Sequence, residues 1–322
     1  MTKIAVLDDW QGVARASADW SLLSARADVT FFEDALSDEE AIVRRLRDFD
    51  IVMTMRERTP FPANLIERLP NLQMLSVTGM RNRSVDLHAL EARGVTVTCT
   101  QAGESGEATA ELALALMLAA ARRLPAGDAA IRAGGFQGGV APGFTLHGKT
   151  LGLIGLGRLG SLVGSYGKAL GMRVLAWSPN LTMERAVASG VEYSAKSELL
   201  TEADLISIHM VLAPETIGII GERDLSLMKP GAVVVNTSRG PLIDEPALLA
   251  ALAADKITAA LDVFSQEPLP EDHPLRRSRN AILSPHLGYC VRENFEVFYR
   301  QSIENVLAFL DGTPIRLLAQ AK

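Results

Sequence analysis

A glycine fingerprint, Gly155-Leu-Gly157-Arg-Leu-Gly160, lies between a strand-like run at Thr150–Ile154 and a helical pattern over Arg158–Leu170. In that context the first glycine makes the tight turn and the second lets backbone approach a pyrophosphate. The third lets the helix pack close to the strand. The segment therefore predicts a dinucleotide held at a helix N-terminus, and a parallel sheet to carry it. The fingerprint opens almost halfway along the 322 residues. At roughly 100–200 residues per domain, the chain has room for two domains, and the first is not the dinucleotide half.

Strand-like runs alternate with helical patterns throughout, which implies parallel sheets covered on both faces. In the first part, strands are read at Lys3–Leu7, Val29–Phe32, Ile51–Thr54, Leu72–Val77 and Val95–Thr98, with helices around Glu39–Asp48 and Leu87–Arg93. A long apolar helix follows at Glu104–Arg122, then the glycine-rich stretch RAGGFQGGVAPGF. The second series has strands at Thr150–Ile154, Arg173–Trp177, Leu205–His209, Ala232–Asn236, Ile257–Leu261 and Ala281–Ser284, and a closing helix at Val291–Leu310. Two sheets of five or six strands point to two α/β domains.

Composition narrows the function. The net charge of −6 and the scattered basic residues disfavour nucleic acid as a partner. Cys99 and Cys290 are the only cysteines and are far apart, which excludes a disulfide framework and a cysteine metal site and suits a reducing cytosol. The histidines show no metal spacing, so no metal is expected. The N-terminus has no signal-peptide pattern, and the apolar run Ala108–Ala121 contains Glu111 and is too short to span a bilayer. A cytoplasmic location and no membrane partner are the expectation.

A second phosphate-loop pattern competes: Gly143-Phe-Thr-Leu-His-Gly148-Lys149-Thr150 matches G-x-x-x-x-G-K-[ST] literally. A working loop of that kind follows a strand and opens a helix. Here glycine-rich loop precedes it and a strand follows, so a loop leading into a strand is the better account. Downstream of the fingerprint, an acid at the end of the second strand would hold the ribose 2′-OH of NAD. VLAWSPN places Ser178 there, with Asn180, Thr182 and Arg185 in the same corner. NADP is therefore permitted alongside NAD.

Three later segments put polar residues at strand ends, where ligands bind in open α/β sheets: NTSRG (Asn236–Gly240), DVFSQEPLP (Asp262–Pro270) and SPHLGY (Ser284–Tyr289). With the fingerprint, they resemble the D-isomer-specific 2-hydroxyacid dehydrogenases, in order and spacing over nearly the whole chain. The resemblance implies a Rossmann domain (101–290) inserted into a flavodoxin-like substrate domain (1–100 plus 291–322), which accounts for the late fingerprint. It also implies hydride transfer between NAD or NADP and a small 2-hydroxy or 2-oxo acid. Arg239 would bind the substrate carboxylate and polarise its 2-oxo group. His286 would be the acid in reduction and the base in oxidation, with Glu267 on its other ring nitrogen. Cofactor contacts would come from Thr109, Gly155, Gly157, Arg158, Leu159, Gly160, Ser178, Asn180, His209, Thr216, Thr237, Asp262 and Gly288. Arg56, Thr78, Gly79 and Met80 would face substrate, and the linker helix with its glycine-rich arm implies a homodimer. A cofactor-sensing interaction protein of the same fold is the alternative. An NTPase site at Lys149 predicts nucleoside triphosphate binding that is lost in Lys149→Ala; a dinucleotide site at Gly155–Gly160 predicts that Lys149→Ala leaves NADH fluorescence quenching unchanged.

Overall fold

The computed structural model describes residues 1–36 and 38–318. Two compact units are present, one built from Met1–Glu104 and the stretch beginning at Val291, the other from Ser105–Cys290. In the first, β1 (Thr2–Val6), β2 (Ala27–Phe31), β3 (Ile51–Thr54), β4 (Met74–Val77) and β5 (Thr96–Cys99) form a sheet in the order β2-β1-β3-β4-β5. Every pair is parallel. This is the flavodoxin-like order, with its switch point between β1 and β3. β3 and β4 are buried at every position, which is why IVMT and MLSV read as continuous apolar runs rather than alternating ones.

The C-terminal helix (Arg292–Leu310) belongs to this first unit through specific bonds. The Gln101 N–H donates to Gln301 Oε1 at 2.8 Å, and Asn305 Nδ2 donates to the Cys99 carbonyl at 2.9 Å. Beyond the helix the chain returns to the open edge of β5: the Cys99 N–H donates to the Arg316 carbonyl, and the Leu318 N–H to that of Val97, both at 2.9 Å. A sheet edge that would otherwise offer unpaired backbone is thus covered by residues more than two hundred positions away.

The second unit has β6 (Thr150–Ile154), β7 (Arg173–Trp177), β8 (Glu192–Tyr193), β9 (Leu205–Ile208), β10 (Ala232–Asn236), β11 (Ile257–Leu261) and β12 (Ala281–Leu283). Their order is β12-β11-β10-β9-β6-β7-β8, parallel throughout. Starting from β6 the chain steps outward to β7 and β8, then crosses back to β9, the Rossmann arrangement. Alternate side chains feed two cores. Leu151, Leu153, Val233 and Val235 pack under the long helix Ser105–Ala121 and the fingerprint helix Arg158–Ala169. Ile154, Ile206, Ile208 and Val234 pack on the opposite side against Leu199, Leu225 and Leu248.

Two doubly wound parallel sheets are as the alternation predicts, with two corrections. The second sheet has seven strands: β8 is two exposed residues with no apolar run to mark it. Leu124–Arg132 is a helix of its own, with no buried residue, between the long helix and the glycine-rich stretch. No helix among the described residues is long and apolar enough to cross a membrane.

Phe298 of the C-terminal helix is fully buried. Phe298→Ala is expected to cost about 3–5 kcal/mol in urea unfolding. A loss under about 1 kcal/mol, the range of an exposed site, would mean that the helix is not part of the first unit's core.

Candidate active site

The fingerprint turn is built as its glycines require. The Gly155 N–H donates to the Trp177 carbonyl at 2.7 Å, and its φ of +103° is backbone that side-chain-bearing residues rarely adopt. A Cβ on Gly160 would collide with the Gly155 carbonyl, so helix and turn can approach only through glycine. Gly157 is the N-cap and offers no side chain to the first-turn amides, and a Cβ there would meet nothing within 4 Å. Uncapped amides facing open space at the end of β6 fit a pyrophosphate. Leu159 packs on the core below. Arg158, in contrast, points to the neighbouring long helix, where its Nη2 lies 2.6 and 2.8 Å from the two Glu107 oxygens.

At the end of β7, Ser178 is half-buried and its carbonyl accepts the Leu181 N–H at 3.1 Å. Arg185 Nη1 donates to the Asn180 carbonyl at 3.2 Å, and Thr182 caps the following short helix. After β9, His209 is buried, with Nε2 2.9 Å from Ser207 Oγ and Nδ1 without a hydrogen-bond partner. Desolvation takes its imidazole down to about 4, so the ring is neutral in ordinary buffers. Thr216 spends its hydroxyl on the backbone of its own turn. Thr237, after β10, is buried with its hydroxyl unpartnered.

Three neighbouring strand ends bring Arg239, Glu267 and His286 to one edge. The Asn236 side chain shapes the first turn, its Nδ2 donating to the Arg239 carbonyl at 2.9 Å and its Oδ1 accepting the Ser238 N–H at 3.0 Å. Gly240 then passes so close to the Phe264 backbone that a Cβ could not be admitted, which brings the β10 and β11 loops together. Arg239 Nη1 donates to the Ser238 carbonyl at 2.7 Å. Glu267 accepts the Phe264 N–H at 2.9 Å through Oε1, and its Oε2 is 2.5 Å from His286 Nδ1. Burial pushes the Glu267 carboxyl up, but the hydrogen bond and charge of His286, the Phe264 N–H and the Arg239 charge outweigh it. The group is held below its ordinary value. The pair's side chains are 30% and 31% exposed, enough for a ligand to reach the imidazole.

His286 adopts φ +56°, a left-handed conformation that costs a non-glycine residue about 1–2 kcal/mol. The buried Asp262 carboxylate holds it there. Oδ1 accepts Ser284 Oγ at 2.5 Å and the Leu287 N–H at 2.7 Å, while Oδ2 accepts the Gly288 N–H at 2.8 Å. Desolvation raises this carboxyl, opposed by the Ser284 hydroxyl, the Leu287 N–H, the His286 charge and the Gly288 N–H. Thr109 Oγ1 lies 2.9 Å from the Gly288 carbonyl, tying the long helix to the same turn.

Arg56, Thr78, Gly79 and Met80 lie at the carboxyl edge of the first unit's sheet. The Arg56 N–H donates to Thr78 Oγ1 at 2.7 Å, the Gly79 N–H donates to Thr100 Oγ1 at 2.8 Å, and Met80 is 61% exposed. Asp8 and Trp10, beside them, are site residues that the sequence did not single out, whereas Arg58 stands with Arg56 in the MRERTP segment after β3. Asp8, at φ +62° after β1, accepts Thr59 Oγ1 at 2.8 Å, and burial raises its carboxyl. The Arg58 guanidinium stacks 4.1 Å above the Trp10 ring. The signal available was an acid and an aromatic directly after the first strand. Asp262 as the clamp, with Ser284, and Glu107 had none.

The second unit thus presents a glycine cradle, an uncapped helix N-terminus and an arginine–glutamate–histidine edge, the equipment of a dinucleotide-dependent oxidoreductase. The family model for the NAD-binding domain of D-isomer-specific 2-hydroxyacid dehydrogenases matches residues 114–288. A glyoxylate reductase of Aeropyrum pernix is 38% identical over 281 residues, 85% of this chain and 83% of that protein. A D-3-phosphoglycerate dehydrogenase of Archaeoglobus fulgidus is 36% identical over 278 residues, 86% of this chain but 52% of its own length. This chain therefore spans only about half the length of that relative. The crystal structure of a phosphoglycerate oxidoreductase from Vibrio cholerae superposes with a TM-score of 0.91 at 39% identity, covering 97% of this chain and all of that one. The chain belongs to the D-isomer-specific 2-hydroxyacid dehydrogenase family, whose members are NAD(P)-dependent oxidoreductases acting on CH–OH donors.

The neutral buried His209 gives a pH prediction. An unfolded histidine titrates near 6.5, so the stabilisation from keeping this ring neutral is whole above that value. It is lost as pH falls toward the folded value of about 4. His209→Asn should flatten the fall in the urea midpoint across that interval; an unchanged slope would assign the acid sensitivity elsewhere.

Proposed function

We propose that this protein interconverts a small D-2-hydroxy acid and its 2-oxo acid, with Arg239, Glu267 and His286 as the catalytic set. The observation that carries the reading is the 2.5 Å pairing of His286 Nδ1 with Glu267 Oε2 on an edge shared with Arg239. With Nδ1–H committed to Glu267, proton exchange with substrate is left to His286 Nε2. In reduction Nε2 gives its proton to the 2-oxo oxygen; in oxidation it takes the proton of the 2-hydroxyl. Glu267 compensates the positive charge that the ring carries between those events. Arg239, permanently cationic, forks across the substrate carboxylate and polarises the adjacent carbonyl. NAD(P) supplies or accepts the hydride when bound. Gly155, Gly157, Arg158, Leu159 and Gly160 would hold its pyrophosphate, and Ser178 and Asn180 its adenosine ribose. His209, Thr216, Thr237, Asp262, Gly288 and Thr109 would complete the cofactor's site, Asp262 by fixing the Ser284–Gly288 turn.

Residues 1–100 with 291–322 serve as the substrate domain and 101–290 as the cofactor domain, with Arg56, Thr78, Gly79 and Met80 facing substrate. The relatives' names point to glyoxylate and 3-phosphohydroxypyruvate as first substrates to try, with hydroxypyruvate, the unphosphorylated form of the latter, beside them. A homodimer is part of the proposal, supported by the exposed apolar side chains Leu118, Leu124, Ile131 and Phe136 along the long helix, the short helix after it and the glycine-rich arm. A cytoplasmic location accords with Cys99 and Cys290 standing as thiols outside any disulfide.

Absorbance at 340 nm with NADH and with NADPH, against those three acids and pyruvate, tests the reaction class. Turnover of at least one is expected; tight NADH binding with no turnover of any would favour a cofactor sensor instead. His286→Ala should lower reduction by about 10²–10⁴-fold while NADH fluorescence quenching persists. Activity that survives the change would remove His286 from the acid–base role.

A further inference from the structure

Arg158 opens the fingerprint helix, one residue beyond the Gly157 cradle, yet its guanidinium is engaged elsewhere. Nη2 lies 2.6 Å from one Glu107 oxygen and 2.8 Å from the other. The guanidinium is seated over the start of the long helix, where a Cβ on Gly106 would stand 3.1 Å from its Cζ and Nε. A side chain at 106 would press the guanidinium aside by a few tenths of an ångström. Without Glu107 this would be a poor place for a cation, because the first turns of two helices, those starting at Ser105 and Arg158, both present the positive ends of their dipoles. Glu107 is therefore what keeps the arginine there. The pair is well exposed, 67% for Arg158 and 42% for Glu107, so its hold is weak and easily exchanged.

We infer that Glu107 competes with the cofactor diphosphate for Arg158, and so sets how tightly the dinucleotide is held and how fast it leaves. The inference rests on the dinucleotide reading of the fingerprint and adds a positioning residue to it. A diphosphate at the Gly157 cradle is a stronger, multiply charged and bidentate partner for a guanidinium than a solvated carboxylate. On binding, Arg158 passes from Glu107 to the diphosphate, and Glu107 is left unpaired beside a new negative charge. On release the sequence runs backward, with Glu107 reclaiming the arginine. The carboxylate thus weakens the bound state and speeds departure of the spent cofactor; release steps of this kind limit turnover in many enzymes.

The test measures binding rather than turnover. NADH, NADPH and ADP-ribose (the diphosphate without the nicotinamide ring) are titrated by protein fluorescence and calorimetry, and NADH release is followed by stopped flow. Glu107→Gln is expected to tighten all three about 2- to 10-fold, with a matching fall in release rate. Gly106→Ala, which keeps both charges but presses the guanidinium aside, is expected to move affinity in the same direction. In an Arg158→Gln background, Glu107→Gln should change affinity by less than about 2-fold, because nothing remains to compete for. Unchanged or weaker binding in Glu107→Gln overturns the inference. A full tightening that persists without Arg158 also overturns it, since that is direct repulsion and not exchange. Thermal denaturation confirms that each variant is folded. Failure of the wild-type protein to bind either dinucleotide would overturn the fingerprint reading itself, an outcome distinct from the other two.

Discussion

Asp262 leaves β11 with its side chain fully buried and gives both oxygens to the turn after β12: one to Ser284 Oγ and the Leu287 N–H, the other to the Gly288 N–H. An unpaired carboxylate in that position would cost several kcal/mol, and three donors satisfy it. The return is geometric. Leu287 and Gly288 are fixed on one side of His286 and Ser284 on the other, so His286 has little choice but the left-handed conformation that turns its ring toward Glu267. Strain at a strand end persists only where the surroundings over-determine it, and here the surroundings are one carboxylate.

The parallel sheets supply the rest. Because every strand in each sheet runs the same way, the chain ends each strand at the same edge, and residues distant in sequence meet there. Arg239, Glu267 and His286 follow β10, β11 and β12, which are adjacent in the sheet. The glycine turn follows β6, where the strand order reverses, and the first-unit candidates follow β3 and β4 beside their own switch point. Edges of this kind concentrate ligand chemistry because helix N-termini and loop amides converge on them.

Much of this was legible in the residues. The apolar runs at IVMT, AVVVN and ITAAL mark buried parallel strands, and G-L-G-R-L-G between a strand and a helix marks its own turn chemistry. The literal match ending at Lys149-Thr150 was set aside on context, and Thr150 does begin β6. The two-residue β8 left no pattern to read. The helix Leu124–Arg132 was missed because it buries nothing, so no core-facing stripe marks it. Arg158 reads as a phosphate ligand from its place in the fingerprint. Its pairing with Glu107, fifty-one positions upstream, depends on two helices lying side by side, with the guanidinium over the bare backbone at Gly106.

Periodicity and glycine stereochemistry are local properties, so the class of fold, the position of the dinucleotide turn and the residue types at the strand ends can be read along the chain. Tertiary structure decided which of those residues touch. The 2.5 Å approach of His286 to Glu267, the clamp by Asp262 and the closing of the first sheet's edge by residues 316–318 each join segments separated by a whole strand–helix unit or more. Such contacts come from strand order and sheet register, which no local pattern encodes.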